Sequence, residues 1–321
     1  MLFLTDGLPT VGITSPDEIV KNVKGALKKE RIIVFGVGHD VNTILLDRLS
    51  REAKGFSEYI EPGEDLELAI SSVYTKIMRP AVENPEIEFI GADVYNLHPP
   101  QVSDIFYGQD IIIAGRYRKA GRAQAILKGL RKGERFVIEK GVDFTSLDED
   151  LDFIPIIWAK KRAAFLLSEI RLHGENKELV DEIVELGKKY GIVTPYTSYL
   201  VREEERSRIP FAGVAPHAFR EEAVGKRGVM IAKELAKMER EAATAAPEVE
   251  SIKQIGTKTF YLKKDRYLDA EYKEEMKSKE IRFGSQEYFN LFKKYPQYAR
   301  YFAISKKITV VIEGMAYKIV E

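Results

Sequence analysis

The sequence predicts an α/β fold followed by antiparallel β structure, a helical hairpin and a small α+β tail. Three observations carry this. Short apolar runs alternate with amphipathic helical stretches over residues 1–80. Strand-like runs then follow one another from residue 85 to 145 with no helical pattern between them. From residue 155 to 200 the apolar spacing becomes helical again. The switch between periods of about 2 and about 3.6 residues separates these regions. It divides the 321 residues into 1–80, 81–150, 151–246 and 247–321.

Leu2-Phe3-Leu4 is an unbroken apolar run, read as a strand buried on both faces. Thr5-Asp6-Gly7 ends it in a turn, where Gly7 is free to take a positive φ. Asp6 then stands at the carboxyl end of a strand, where open α/β sheets place their ligands. A strand buried on both faces is an interior strand. This run begins at Met1, so its second neighbour is not supplied by earlier residues of the sequence. Ser15-Pro16-Asp17-Glu18 starts a helix, with Ser15 as N-cap and Pro16 at the first helical position. Ile19, Val20, Val23 and Leu27 share one of its faces. Arg31 to Gly38 is a second buried strand. Asp40 or Asn42 caps the next helix, whose stripe is Ile44, Leu45, Leu49 and Ala53, and Gly55 ends it. Phe56 to Ile60 is a shorter strand. A helix from Asp65 to Met78 presents Leu66, Ile70, Val73, Tyr74 and Ile77, and Arg79-Pro80 stops it. Strands separated by helices of this length make a parallel sheet with helices on its faces.

Beyond residue 80, Ile87–Tyr95, Asp110–Tyr117, Ala123–Leu130 and Glu134–Lys140 read as strands of an antiparallel, sandwich-like unit. Turns at Lys119-Ala120-Gly121 and Arg131-Lys132-Gly133 join them. Ile156 to Leu172 and Asn176 to Tyr190 are helices closed by Gly174 and Gly191. Arg202 to Pro216 reads as linker or surface loop, Glu221 to Arg240 as one helix, and Ala242 to Pro247 as a hinge. In the tail, Thr257–Leu262 and Arg266–Tyr272 form a hairpin, and Ser285 caps a helix through Phe292. Ile308–Ile312 and Ala316–Ile319 form a second hairpin around Glu313-Gly314.

Composition and motifs exclude several function classes. Lys plus Arg equals Asp plus Glu at 50 each, which speaks against a dedicated nucleic-acid binder. The tail is rich in aromatic and basic residues. Tyr288, Phe289, Phe292 and Tyr295 nevertheless have helical spacing, which assigns them to a core rather than to a base-stacking platform. The absence of cysteine rules out disulfides and thiolate zinc sites. No apolar run approaches the roughly 18 residues of a membrane span, and there is no export-signal pattern. With Met1 as the true start, the protein is expected in the cytoplasm. Gly36-Val37-Gly38 lacks the third glycine of a dinucleotide loop, Val41 standing there. His39, His98, His173 and His217 have no ligand spacing, and no Ser, His and Asp arrangement stands in a nucleophile context. No catalytic constellation is read from these residues; an enzyme with a ligand pocket at the carboxyl end of the sheet and a structural module both stay open as alternatives.

Phe3-Leu4-Thr5-Asp6-Gly7-Leu8-Pro9-Thr10-Val11-Gly12 resembles the late half of a von Willebrand factor type A domain, and Ile33 to Asn42 strengthens the likeness. The order of later stretches resembles the inter-alpha-trypsin-inhibitor heavy-chain-like proteins, which pair a VIT domain with an A domain. These stretches are Ile112–Tyr117, Trp158-Ala159-Lys160 and Tyr190–Val201. Lys258-Thr259-Phe260 and Ala316–Ile319 are similar to the C-terminal region of bacterial members. The resemblance implies a truncated, Rossmann-like A domain over residues 1–80 and a half-sandwich after it. It implies a non-enzymatic, adhesion-type function with a protein or matrix ligand, at the cell surface or in the envelope. It also implies Mg²⁺ or another divalent cation at a metal-ion-dependent adhesion site. That site takes an Asp-x-Ser-x-Ser, a distant Thr, and an Asp after the fourth strand. Only the last is matched here, by Asp6. The other two motifs and the VIT domain would lie before Met1, so the chain is expected to be the C-terminal portion of a longer protein, able to dock on its own N-terminal half. Mg²⁺ wants six oxygens in near-octahedral order, so Asp6 alone should bind it weakly. Asp-Gly is also a common turn pair, and plain turn chemistry is the competing reading of Asp6.

Overall fold

The computed structural model describes residues 1–27, 30–77, 80–108, 110–146, 151–209, 211–240 and 249–321. The helix stop expected at Arg79 and the hinge expected at Ala242–Pro247 lie outside them. The chain divides into two units. The first comprises Met1–Asp148, Ala164–Glu175 and His217–Ala242; the second comprises Glu149–Ala163, Asn176–Pro216 and Ala243–Glu321.

In the first unit, β1 (Leu2–Thr5), α1 (Pro16–Ala26), β2 (Ile33–Val37), α2 (Thr43–Glu52), β3 (Ser57–Ile60) and α3 (Leu66–Ile77) alternate as expected. The strands form a parallel sheet in the order β1-β2-β3, with Leu2 opposite Ile33 and Val34 opposite Ser57. Period-2 alternation in β2 sends its side chains to two cores. Val34 packs with Val20 of α1, with Leu45, Leu46 and Leu49 of α2, and with Val229 and Ala232 from far along the chain. Ile33 and Phe35 pack on the other face with Val73 of α3 and with Ile60.

Three local expectations are corrected and one is narrowed. β1 pairs with β2 alone among the described residues, and Phe3 and Leu4 are 41% and 48% exposed rather than buried. Of the two caps expected for α2, Asn42 is the one used, through a bond from the Leu45 amide at 3.1 Å. Leu46, fully buried, takes the inward position assigned to Ile44, which is only partly buried. Tyr74 is half exposed, because the inward stripe of α3 runs through Ala69, Ile70 and Val73.

The β region contains β4 (Pro80–Ile90), β5 (Val94–His98), β6 (Ile105–Phe106), β7 (Ala114–Tyr117), β8 (Gly121–Arg131) and β9 (Glu134–Phe144). All pairings are antiparallel, in sheets ordered β6-β4-β8-β9 and β5-β7. The single strand expected at Ile87–Tyr95 is two strands in different sheets. Gly91, at φ +92°, breaks it in a conformation that other residues resist. Asp110–Ile113 lies outside the strands, and only Ala114–Tyr117 pairs. The turn from β8 to β9 is a two-residue one with positive φ at both Lys132 and Gly133, which suits the strand twist.

α4 (Ile154–His173), α5 (Lys177–Tyr190), α6 (Pro216–Glu221) and α7 (Lys226–Arg240) follow. Asn176 caps α5 through the Leu179 amide at 2.9 Å, and Gly191 closes it at φ +66°. The helix expected over Glu221–Arg240 is broken: α6 ends at Glu221, and Gly225, at φ +90°, turns the chain into α7. α7 supplies Val229 and Ala232 to the Val34 core.

In the second unit, Ile209, Phe211, Ala212 and Val214 are buried, against the surface-loop expectation. Ile209 and Ala212 join Val193, Val201, Ile252 and Tyr261 in one apolar cluster. The tail consists of β10 (Ile252–Ile255), β11 (Lys258–Lys263), β12 (Arg266–Asp269), β13 (Ser278–Arg282), α8 (Gln286–Lys294), α9 (Ala299–Phe302), β14 (Ile308–Ile312) and β15 (Met315–Val320). Its sheet has the order β10-β11-β12-β14-β15-β13. Tyr288 and Tyr295 are in its core, as their spacing predicts, whereas Phe289 is 51% exposed.

Candidate functional site

Asp6 lies where the sequence places it, in the turn leaving β1 at the carboxyl end of the sheet. Its Oδ1 accepts from the Leu8 amide at 2.9 Å and its carbonyl accepts from the Asn42 amide at 2.8 Å. Thr5 Oγ1 accepts from Gly7 at 3.0 Å. Gly7 is required twice over. It sits at φ +68°, and a Cβ there would stand 2.9 Å from Leu46 Cδ2. The Asp6 side chain is exposed, so its carboxylate faces solvent.

The donor set of this chain does not by itself make a metal centre. Among the described residues no group of three or more His, Asp or Glu side chains is arranged to hold a metal ion. The sequence contains no Asp-x-Ser-x-Ser. Asp6 thus offers one carboxylate, short of the oxygen shell that Mg²⁺ needs. The histidines lie in separate surroundings. His98 is buried with its ring 5.4 Å from that of Phe165, His39 is partly buried, and His173 and His217 are exposed. Gly36 serves packing rather than a cofactor, since a Cβ there would meet the Tyr59 ring at 2.7 Å.

A buried polar hub stands behind this turn, and the sequence reading missed it. Thr43, at the start of α2, is fully buried. Its hydroxyl donates to the Ala223 carbonyl at 2.8 Å and accepts from Arg171 Nη2 at 2.6 Å. Tyr59 donates to the Thr43 carbonyl at 3.0 Å and to Asp47 Oδ1 at 2.6 Å. Burial pushes the Asp47 carboxyl above the usual range, opposed by the Tyr59 hydrogen bond and the Arg171 charge. Burial and the neighbouring Asp47 push the Tyr59 hydroxyl well up. Burial lowers the Arg171 guanidinium, with Asp47 opposing. Its Nε and Nη1 are buried without hydrogen-bond partners. The available signal was charge in apolar company. Asp47 lies one turn after Thr43, and Arg171 stands among Leu167, Ile170 and Leu172.

Cavities of the first unit gather elsewhere. Two, of about 600 and 560 Å³, are lined by Arg31, Lys54, Asn84 and Asp104. Arg31 and Lys54-Gly55 precede β2 and β3, which puts these spaces at the amino ends of the strands, opposite Asp6. Arg31 closes on Asp104 through paired bonds of 2.7 and 2.5 Å.

No protein-family model matches the chain. The chain is 28% identical over 218 residues to inter-alpha-trypsin inhibitor heavy chain H3 of Rattus norvegicus, covering 64% of this chain and 25% of the relative. It is 26% identical over 219 residues to heavy chain H2 of Mus musculus, covering 64% and 23%. Among solved structures, the von Willebrand factor type A protein from Catenulispora acidiphila is 14% identical with a TM-score of 0.37, covering 75% of this chain and 65% of that one. The ArnB paralog VWA2 from Sulfolobus acidocaldarius is 14% identical at 0.34, covering 74% and 62%. The chain therefore spans only 25% of the length of the curated relative it matches at 28% identity. Over 64% of its own length, this chain is a sequence relative of the inter-alpha-trypsin inhibitor heavy chains.

Proposed function

We propose that this chain is part of a non-enzymatic, adhesion-type binding protein whose contact element is the Asp6 turn. Asp6 contributes one carboxylate to a divalent-cation site, and the remaining oxygen ligands come from outside this sequence. The partner is a protein or matrix component, and the compartment is extracellular or envelope-facing. Among the described residues no helix is long and apolar enough to cross a membrane. Residues 1–80 are the binding portion in this reading; 81–150, 151–246 and 247–321 are the further divisions of the chain.

The observation that carries the reading is the construction of the turn. An exposed carboxylate stands at the carboxyl end of a parallel strand, its Oδ1 accepting from the Leu8 amide and its carbonyl accepting from the amide of Asn42, the N-cap of α2. A turn that merely reverses the chain needs no such fixing from a second element. Thermal unfolding of the chain with Mg²⁺ tests it. With one carboxylate available the binding is weak; the account expects high Mg²⁺, compared at equal ionic strength with NaCl, to raise the midpoint of the wild type slightly and not that of Asp6→Asn. An equal rise in both would remove Asp6 from the site.

A further inference from the structure

Asp6 does not hold itself in place. Its carbonyl is fixed by the Asn42 amide at 2.8 Å, and Asn42 caps α2. The next residue, Thr43, is held from outside the sheet. Its amide and its hydroxyl both donate to the Ala223 carbonyl, each at 2.8 Å. Arg171 Nη2 donates to the Thr43 hydroxyl and reaches the Glu222 and Gly228 carbonyls at 3.3 and 3.4 Å. One guanidinium therefore straps the turn between α6 and α7 onto the first residue of α2. The contacts run Asp6, Asn42, Thr43, Ala223, and the last pair is 180 residues apart in sequence.

We propose that Thr43 and Arg171 are positioning residues for the Asp6 turn, and that the α6–α7 turn sets its order through them. The proposal rests on the reading of that turn as the contact element. Two features separate this from plain packing. The guanidinium is buried with Nε and Nη1 unsatisfied, a penalty that an apolar side chain at the same place avoids. The strap also acts one residue after the N-cap, so releasing it frees the helix turn against which Gly7 lies, where Leu46 leaves no room for a Cβ. A partner that moves the α6–α7 turn would loosen Asp6, and a ligand that orders Asp6 would favour the strapped state, since such coupling is reciprocal.

Amide hydrogen exchange on the full chain, without metal, tests this. Thr43→Val keeps the shape and removes the hydroxyl; Thr43→Ser keeps the hydroxyl. Thr43→Val is expected to lower protection at Asn42 and Leu8 by about tenfold, the weight of one lost hydrogen bond. Val34 and Phe35 of β2 should stay as they were, and Thr43→Ser should restore the wild-type pattern. Arg171→Met removes the donor instead of the acceptor and should repeat the selective loss; it decides the matter if Thr43→Val does not fold. Unchanged protection at Asn42 and Leu8, or an equal loss through the whole sheet, would overturn the proposal. Because no metal enters this measurement, its outcome is separate from that of the Mg²⁺ experiment. A selective loss here beside an Asp6→Asn variant that still responds to Mg²⁺ would leave the relay standing and remove only the cation reading.

Discussion

In the tail, Lys258 Nζ lies 2.8 Å from Asp269 and 2.7 Å from Glu271, and Asp269 also accepts from the amides of Glu271 at 3.0 Å and Val311 at 2.9 Å. In the first unit, Asp47 faces Tyr59 and Arg171, and Arg171 keeps two buried nitrogens without partners. No buried side-chain atom of this tail network is left without a partner. Desolvation pulls the Lys258 ammonium down, but Asp269 and Glu271 outweigh it and hold the group above its ordinary range. It ties β11 and β12 to β14. The hub of the first unit is held by fewer bonds than its groups can make. A buried network that is satisfied rigidifies one arrangement, whereas unpaired buried groups carry a cost that holds no single arrangement in place. On this comparison the tail is an anchor, and the hub is the part of the molecule able to respond.

The largest effect should come from breaking the anchor. Asp269→Ala leaves the Lys258 ammonium, whose side chain is 9% exposed, without its buried partner. A loss of roughly 3–5 kcal/mol is expected in denaturant unfolding followed by tyrosine fluorescence. A loss below about 1 kcal/mol would place this pair with weak surface pairs and erase the contrast with the hub. Next comes Gly7→Ala. The left-handed φ alone should cost about 1–2 kcal/mol, with the Leu46 contact adding to it.

The hub should respond less, and in a diagnostic direction. Asp47→Asn keeps an oxygen for Tyr59 and removes a poorly hydrated charge, so stability near neutral pH should change by less than about 1 kcal/mol. The pH profile is the sharper reading. The folded-state pKa of Asp47 is raised, so the folded chain takes up this proton before the unfolded chain does. Stability from this group is greatest below the unfolded value of about 3.9 and falls as pH rises through the folded value. Asp47→Asn should remove that fall. A profile identical to wild type would mean that the carboxyl is not desolvated.

Glu64 should give the smallest change, with the opposite sign. The Glu61 amide and then Lys233 hold its carboxyl below the usual range. Its stabilisation is present above the ordinary value of about 4.3 and is lost as pH falls through the lowered one. The side chain is 50% exposed, so Glu64→Gln should cost no more than about 0.5 kcal/mol in the same measurement.

Much of this was legible in the sequence where local chemistry decides. Asn176 and Gly191 mark α5, Lys132-Gly133 marks a hairpin, and Leu2–Leu4, Ile33–Val37 and Ser57–Ile60 make a parallel sheet. What the sequence hid depends on distant partners. Leu2–Leu4 has the composition of a buried strand, yet among the described residues it pairs with β2 alone and Phe3 and Leu4 are exposed. The stretch around Ile209 and Ala212 reads as loop because its apolar residues follow no period, yet these two pack with Val193, Val201, Ile252 and Tyr261 from other segments. Asp6 was visible as a strand-end carboxylate. Thr43, Asp47 and Arg171 were not, because a buried polar group is recognisable only by what surrounds it, and Ala223 and Arg171 come from more than 100 residues away.

The central claim, that Asp6 is a cation ligand on a prepositioned turn, is tested most directly by Mn²⁺ titration of the isotopically labelled chain. Paramagnetic broadening reports proximity even when binding is weak. The account predicts that the amides of Gly7, Leu8 and Asn42 broaden first and that Asp6→Asn abolishes this. Broadening that begins elsewhere, or that survives in Asp6→Asn, would contradict it.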